Sequence, residues 1–256
     1  MPLPRIAIPM PHSTDREYGE RALPQYERAV SLAGGEPIRI PLDQSAAEVR
    51  KIIAGCDGVL LPGSNADVDP ARFHAARSPR SASADARREA VDDLLLQEAH
   101  DSAKPVLGIC YGLQSLNVHR RGSLIQHIPD FLPEETRGKI NHEAGKKVPV
   151  AHTVEIEPDS VLEKVLCGDS RPRRSGRAQP GCVIPVNSSH HQSADVIGDG
   201  LRIVARCPDD GIIEALEGTD PNHFVIAVQW HPERSVDDDH ASRAIFRALI
   251  EAARER

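Results

Sequence analysis

The chain has 256 residues, a formal net charge of −7 and a hydrophobic content of 39%. This length suits one large α/β domain or two small ones. The acidic balance gives no reason to expect nucleic acid or an anionic membrane as the main partner, and no apolar run approaches the length of a membrane span. The five cysteines are widely spaced and include no C-x-x-C pair. That usage predicts a cytoplasmic protein and argues against a disulfide framework or a zinc site.

The first half of the chain alternates short apolar strands with helical segments. Alternation at this spacing predicts βαβ units and a parallel sheet. The loop at 77–86 is low in apolar content, and we expect it to be a mobile surface loop. The sequence predicts strands at 5–8, 37–40, 59–61, 106–109 and 123–128, and helices at 23–32, 46–53 and 87–100.

From Val148 onward the strands become short and alternating, as is typical of antiparallel pairing. The stretches T-V-E-I-E, V-I-P-V, L-R-I-V-A-R and F-V-I-A-V carry this pattern, and an amphipathic helix at 240–253 follows them. The segment 168–181, rich in Arg, Pro and Gly, is expected to be a solvated loop rather than a binding patch. No internal repeat or domain boundary is evident, so we expect one domain over 1–256.

The stretch 104–114, K-P-V-L-G-I-C-Y-G-L-Q, organises the chain. A buried strand ends at Ile109 and a helical period begins after Cys110, so the cysteine occupies a sharp strand-to-helix turn. Gly108 and Gly112 flank it, as in a nucleophile elbow. A helix N-terminus stabilises negative charge on sulfur, and the N–H of Tyr111 can donate to an oxyanion. A buried structural cysteine is the competing interpretation.

A second stretch, V-Q-W-H-P-E, follows the predicted strand at 224–228 and contains His231 and Glu233. Loops at the carboxyl ends of neighbouring parallel strands converge, so Cys110 and His231 can meet there. His231 would then take the thiol proton and return it to a leaving amine, while Glu233 orients the imidazole. A lone histidine is more often a structural residue, and that is the interpretation for most of the other histidines.

Together, G-I-C-Y-G-L-Q and V-Q-W-H-P-E resemble the class I glutamine amidotransferase-like superfamily. Within it, the chain most resembles the γ-glutamyl-γ-aminobutyrate hydrolase group of γ-glutamyl hydrolases. Further matching stretches are D-G-V-L-L-P-G, D-V-D-P, N-S-S-H-H-Q and I-I-E-A-L-E. The resemblance runs nearly end to end and implies a flavodoxin-like, three-layer α/β sandwich with a mostly parallel sheet and additional antiparallel strands.

The resemblance also implies a set of site residues. It implies a catalytic triad of Cys110, His231 and Glu233, and an oxyanion hole formed by N–H groups of Gly63, Ser64 and Tyr111. Substrate-binding residues would be Gln114, Ser189, His190 and His191. No metal, nucleotide or other cofactor is implied, because the chain contains no Walker loop, no G-x-G-x-x-G and no cluster with metal-ligand spacing.

Several departures leave the substrate open. The family usually has Arg after the nucleophile, where this chain has Tyr111, an amphipathic side chain that could pack against an amine substituent. The oxyanion loop reads G-S-N-A-D and is one residue longer than expected. A Gly-Gly pair is expected after the elbow helix, where the chain has His119 and Arg120. The segment 168–181 has no recognised counterpart.

Three functions are compatible with the sequence. The favoured one is hydrolysis of a γ-glutamyl amide through a γ-glutamyl thioester, with a small-molecule substrate whose amine half is neutral or cationic. A glutaminase subunit that passes ammonia to a separate synthetase is the first alternative. A non-catalytic binding protein that retains the triad is the second. The sequence leaves open the oligomeric state, a homo-oligomer included, and the competence of the altered oxyanion loop.

Overall fold

The computed structural model describes residues 2–168 and 182–255. Apart from Gly168, the Arg-rich segment discussed above lies outside these residues. The strands are β1 (Arg5–Pro9), β2 (Glu36–Ile40), β3 (Gly58–Leu61), β4 (Val106–Ile109), β5 (Leu124–Ile125), β6 (His152–Ile156), β7 (Cys182–Val186), β8 (Ser193–Ala194), β9 (Leu201–Arg206), β10 (Ile213–Gly218) and β11 (Val225–Val228). The α-helices are α1 (Arg16–Leu32), α2 (Ala46–Ala54), α3 (Ala86–Asp101), α4 (Tyr111–His119), α5 (Ile128–Phe131), α6 (Val161–Cys167) and α7 (His240–Arg254).

A nine-stranded sheet forms the centre of the molecule, in the order β2-β1-β3-β4-β11-β10-β9-β6-β7. The pairs from β2 to β11 are parallel. The pairs from β11 to β7 are antiparallel. The predicted change of character in the second half of the chain is therefore confirmed. For β9, β10 and β11 the cause is local, because the connections at 207–212 and 219–224 are too short to contain a crossover helix.

Helices cover both faces of the sheet and give three layers. Side chains alternate between the two faces along each strand, so Ile6 and Ile8 point into one apolar cluster while Ala7 points into the other. The first cluster lies under α1 and α7, and the second lies under α2, α3 and α4. The predicted three-layer α/β sandwich is confirmed.

Capping side chains set where the helices begin. Helix α1 starts at Arg16, earlier than its apolar periodicity suggests, because the Asp15 carboxylate accepts a hydrogen bond from the N–H of Tyr18. Ser45 and Glu48 form a reciprocal capping box at α2. Asp85 caps α3 by accepting from the N–H groups of the first turn.

Two local predictions were wrong. The strand predicted at 123–128 is only two residues long; β5 pairs with β8 in a separate small sheet, and the short helix α5 follows. Cys167 and Cys182 form a disulfide, whereas the cysteine usage argued against a disulfide framework. The end of α6 and the start of β7 bring their Cα atoms to 6.5 Å, a proximity that sequence spacing does not reveal. None of the described helices is both long and apolar enough to cross a bilayer.

Candidate active site

Cys110 lies on a strained turn between β4 and α4. Its backbone has φ 53° and ψ −106°, a conformation that non-glycine residues adopt rarely and mostly at functional sites. A Cβ on Gly112 would lie 2.2 Å from the Leu61 carbonyl oxygen, and one on Gly108 would lie 2.9 Å from the Gly112 backbone. Both glycines are therefore needed for α4 to pack closely against the sheet and hold the turn. The turn has the predicted elbow geometry.

The sheet order brings His231 beside Cys110. Strands β4 and β11 are parallel neighbours in which Ile109 pairs with Val228, so the segments that follow them leave the same edge. A Cβ added to Gly63 would lie 3.7 Å from the Cys110 Cβ and 3.1 Å from the His231 Cε1. Cys110 and His231 are therefore close to each other. The Cys110 side chain is near enough to the His231 ring to contribute to the raised pKa of that ring.

Glu233 is buried beside Cys110 and His231 and contacts the His231 ring. The His231 Nδ1 lies 2.7 Å from the Glu233 Oε1, and both residues are at most 5% exposed. Burial of the ring opposes its protonation, but the charges of Glu233 and Cys110 outweigh burial and raise the pKa of His231 to about 9. The raised pKa favours the imidazolium form of His231, which is the form that can donate a proton to a leaving group.

Asn187 fixes the backbone of the histidine. Its side-chain oxygen accepts from the His231 N–H and its side-chain nitrogen donates to the His231 carbonyl, both at 2.9 Å. The Asn187 side chain is itself buried. These two hydrogen bonds therefore hold the His231 backbone in place without any contribution from Glu233. Asn187 belongs to the N-S-S-H-H-Q stretch, so that segment positions the proposed base as well as facing the cavity.

The proposed oxyanion donors differ in their availability. The Tyr111 N–H is at the first position of α4, where a helical N–H has no partner within the helix. The Gly63 N–H donates instead to the Tyr26 hydroxyl at 3.0 Å. Ser64 follows Gly63 and lines the same cavity as Cys110. In this conformation Tyr111 and Ser64 are therefore better placed than Gly63 to supply donors.

The Tyr111 ring does not face a substrate, contrary to the expectation that it packs against an amine substituent. The side chain is 1% exposed, and the Arg88 guanidinium lies over the ring at 4.9 Å. Arg88 is fully buried and donates to Asp92 and to the Pro11 and Pro62 carbonyls. The position after the nucleophile thus contributes a backbone donor and a core aromatic ring.

A cavity of about 440 Å³ opens over Cys110 and His231. Gln114 lines it and is held in place by its amide nitrogen, which lies 3.3 Å from the Gln229 Oε1 and 3.4 Å from the Gln192 carbonyl oxygen. Of the predicted substrate-binding residues, all four line this cavity: Gln114, Ser189, His190 and His191.

The three members of the 189–191 segment have different surroundings. The Ser189 hydroxyl accepts from Arg234 at 2.8 Å, at the rim. The His191 Nε2 lies 3.1 Å from an Asp67 carboxylate oxygen, within the cavity. His190 is only 4% exposed, and its Nε2 is directed at the buried carboxylate of Glu214. Ser189 and His191 are therefore the better candidates for substrate contact.

Several lining residues escaped sequence reasoning, most of them polar or charged: Tyr18, Asn65, Asp67, Arg80, His127, Glu143 and Arg234. Arg80 lies in the loop predicted to be mobile. The structure anchors that loop, since Ser78 donates to Gln126 at 2.8 Å and Ala82 donates to Asp67 at 2.7 Å. Asp67 was within reach of the sequence, because it begins the D-V-D-P stretch of the family resemblance.

Solved structures share this fold. The glutaminase domain of Trypanosoma brucei CTPS with bound acivicin superposes with a TM-score of 0.60 at 17% identity, covering 99% of this chain and 94% of that chain. This likeness is one of fold, a central sheet covered by helices on both faces.

Sequence comparison identifies the family. The Peptidase C26 model matches residues 6–233, and the chain belongs to that family. It is 32% identical over 239 residues to the γ-glutamyl-γ-aminobutyrate hydrolase of Escherichia coli O157:H7, covering 89% of this chain and 84% of the relative. It is 30% identical over 251 residues to a glutamine amidotransferase-like protein of Rickettsia prowazekii, covering 90% and 88%. The chain is a glutamine amidotransferase-like hydrolase.

Proposed function

We propose that this chain hydrolyses γ-glutamyl amides through a γ-glutamyl thioester on Cys110. The observation that carries the proposal is the strained Cys110 turn beside the buried His231–Glu233 pair, with Cys110 and His231 lining one cavity. The similarity to a γ-glutamyl-γ-aminobutyrate hydrolase supports the γ-glutamyl half of the substrate.

In the acylation step, Cys110, His231 and Glu233 have different roles. The Cys110 thiolate attacks the γ-carbonyl carbon, and the carbonyl oxygen becomes an oxyanion held by the N–H groups of Tyr111 and Ser64. When the intermediate collapses, the C–N bond breaks and the His231 imidazolium donates its proton to the leaving amine. The Glu233 carboxylate stabilises the imidazolium before this transfer and holds the ring afterwards.

Deacylation reverses the proton flow. Neutral His231 now accepts a proton from a water molecule, whose oxygen attacks the thioester carbonyl. Collapse of the second intermediate breaks the C–S bond, which releases glutamate and restores the Cys110 thiolate beside the imidazolium. The cavity volume of about 440 Å³ lies within the range of small-molecule sites.

Two guanidinium groups can recognise the glutamyl α-carboxylate. Arg80 and Arg234 both line the cavity, and Arg234 is held at the rim by its bond to Ser189 and by Glu233 at 3.6 Å. A planar guanidinium pairs with a carboxylate through two hydrogen bonds. These side chains are the proposed replacement for the cation that the family carries after its nucleophile.

The test is steady-state kinetics on the purified chain without any partner. The panel contains glutamine, γ-glutamyl-γ-aminobutyrate and γ-glutamyl amides of neutral and cationic amines, with Cys110→Ala as the matched inactive control. We expect turnover of at least one γ-glutamyl amide above glutamine, and a covalent γ-glutamyl adduct on Cys110 by intact-mass analysis. Ammonia release from glutamine only after a synthetase is added would favour the glutaminase-subunit alternative. No turnover and no adduct with any compound would favour the binding protein.

A further inference from the structure

Four buried side chains from separate parts of the chain meet beside the active-site cavity. His142 follows α5, His152 begins β6, His190 lies between β7 and β8, and Glu214 lies in β10. Each of the four residues is 6% exposed or less, and Glu214 is completely buried. One potential ligand atom from each lies within 4.8 Å of all the others. We refer to these four residues as the His–Glu cluster.

The distances from Glu214 to the three rings are close to those between ligands of a tetrahedral ion. The Glu214 Oε1 lies 3.1 Å from the His142 Nδ1, 3.4 Å from the His152 Nε2 and 3.5 Å from the His190 Nε2. Ligand atoms placed about 2.0–2.1 Å from zinc at tetrahedral angles are separated by about 3.3–3.4 Å. One ion could therefore reach all four atoms with little movement of the side chains.

Hydrogen bonds on the outer side of each ring fix its orientation. The ring nitrogens that face away from Glu214 donate to acceptors: His142 Nε2 to the Asp210 carboxylate at 2.8 Å, His152 Nδ1 to the Thr153 carbonyl at 3.0 Å and His190 Nδ1 to the Gln192 carbonyl at 2.8 Å. Because carbonyl and carboxylate oxygens only accept, the outer nitrogens carry the protons. The inner nitrogens of neutral rings then present lone pairs, as they do in histidine metal sites.

The inner ring nitrogens and the Glu214 carboxylate then can only accept hydrogen bonds. The centre of the His–Glu cluster therefore contains no donor. The three inner nitrogens and both Glu214 oxygens make no hydrogen bond of normal geometry with the described residues. Unsatisfied buried polar groups are costly. A proton on one ring would give Glu214 a single donor and would leave the inner nitrogens of the other two rings without a partner. A divalent cation satisfies all four groups at once.

We propose that His142, His152, His190 and Glu214 bind a structural Zn²⁺ ion. Imidazole ligands favour zinc over magnesium and calcium, which take oxygen ligands. Four protein ligands without an open position define a structural rather than a catalytic site. None of the four ligands is a cysteine, so the lack of a C-x-x-C motif in the sequence does not argue against this site.

The ion would stabilise one wall of the active-site cavity. The His190 N–H donates to the His142 carbonyl at 3.0 Å, and the Gly145 N–H donates to the Ser188 carbonyl at 2.7 Å. The same 187–192 segment brackets His231 through Asn187. Zinc would therefore join the irregular chain around His142 to two strands and to the segment that positions His231, without touching the reacting atoms.

The first test is the metal content of the full chain, purified without an affinity tag and dialysed against metal-free buffer. Mass-spectrometric elemental analysis should find about one zinc per chain. Protein stripped with a zinc chelator should have a lower Tm, which added Zn²⁺ restores. Added Co²⁺ should give the visible absorption of tetrahedral cobalt in place of that of the aquated ion.

Three variants locate the ion. Glu214→Gln should retain less than about a tenth of the zinc, because it removes the anionic ligand at constant size. Asp210→Asn should lower zinc affinity by about 10- to 100-fold, the usual effect of losing an outer partner of a histidine ligand. Cys207→Ser is the matched control, since Cys207 is buried near Asp210 and forms a second possible trio with it and His142; zinc should be retained.

Two results would overturn the proposal. One is a parent protein without zinc that, after chelator treatment, also fails to give tetrahedral cobalt bands. The other is zinc that persists in Glu214→Gln but disappears in Cys207→Ser. That result would place the ion at His142, Cys207 and Asp210 instead. If Glu214→Gln does not fold, the zinc content and cobalt spectrum of the parent decide the question. None of these readouts depends on hydrolysis, so the zinc site and the proposed activity can fail separately.

Discussion

Replacing Glu233 with glutamine separates the charge of this side chain from its volume. The carboxylate Oε1 lies 2.7 Å from the His231 Nδ1, and its Oε2 makes no hydrogen bond with the described residues. Asn187 continues to hold the His231 backbone in the variant. Glu233→Gln should therefore fold normally and change mainly the electrostatics of the ring.

The size of the effect follows from the pKa of His231. Burial opposes protonation, yet the charges of Glu233 and Cys110 raise that pKa to about 9. A hydrogen bond to a charged group contributes about 1.5–3 kcal/mol, and one pKa unit corresponds to about 1.4 kcal/mol. Loss of the carboxylate should lower the pKa of His231 by about 1–2 units and lower kcat/KM by about 10- to 150-fold.

The assay is the pH dependence of kcat/KM on the best γ-glutamyl amide from the panel. In the proposed mechanism the imidazolium is the proton donor, so activity should persist up to about pH 9 in the parent and fall as pH rises through the pKa of His231. In Glu233→Gln the alkaline fall should move to lower pH. Glu20→Gln, an exposed change on α1, is the control and should match the parent. Parent-like kcat/KM with an unmoved alkaline limb would refute the assigned role of Glu233.

Limited iodoacetamide treatment with peptide mapping should label Cys110 before the other free cysteines; equal labelling elsewhere would contradict its special reactivity. Gly112→Ala places a Cβ 2.2 Å from the Leu61 carbonyl oxygen and should cost at least about 2 kcal/mol by urea denaturation, whereas Gly19→Ala, with no atom nearer than 3.7 Å, should be neutral or stabilising. For Asp85, burial raises the pKa but bonds from the Ser13 and α3 N–H groups outweigh it and hold the pKa below its usual value. The Asp85 carboxylate therefore stabilises the fold above about pH 4, and this stabilisation is lost as pH falls through the lowered pKa. Asp85→Asn should be less stable than the parent at neutral pH. A difference in stability that stayed constant down to pH 2 would contradict this account.

The tertiary structure alone decided which distant residues meet. The disulfide joins Cys167 to Cys182, Arg88 covers the Tyr111 ring, and the His–Glu cluster gathers positions from 142 to 214. In each case the contact depends on how helices cross the sheet and which strands become neighbours. Local patterns carry little information about such contacts, because a loop can close over many lengths at similar entropic cost.

The sequence by itself determined most of the strands and helices and the residue types proposed for the site. The apolar run before Cys110 and the glycines on either side of it define a strained turn, because strand period, helix period and glycine tolerance are properties of neighbouring residues. The V-Q-W-H-P-E stretch likewise places His231 just beyond a buried strand. Only the fold made β4 and β11 adjacent, and that adjacency turns two local motifs into one site, because side chains react across a few ångströms of space rather than along the chain.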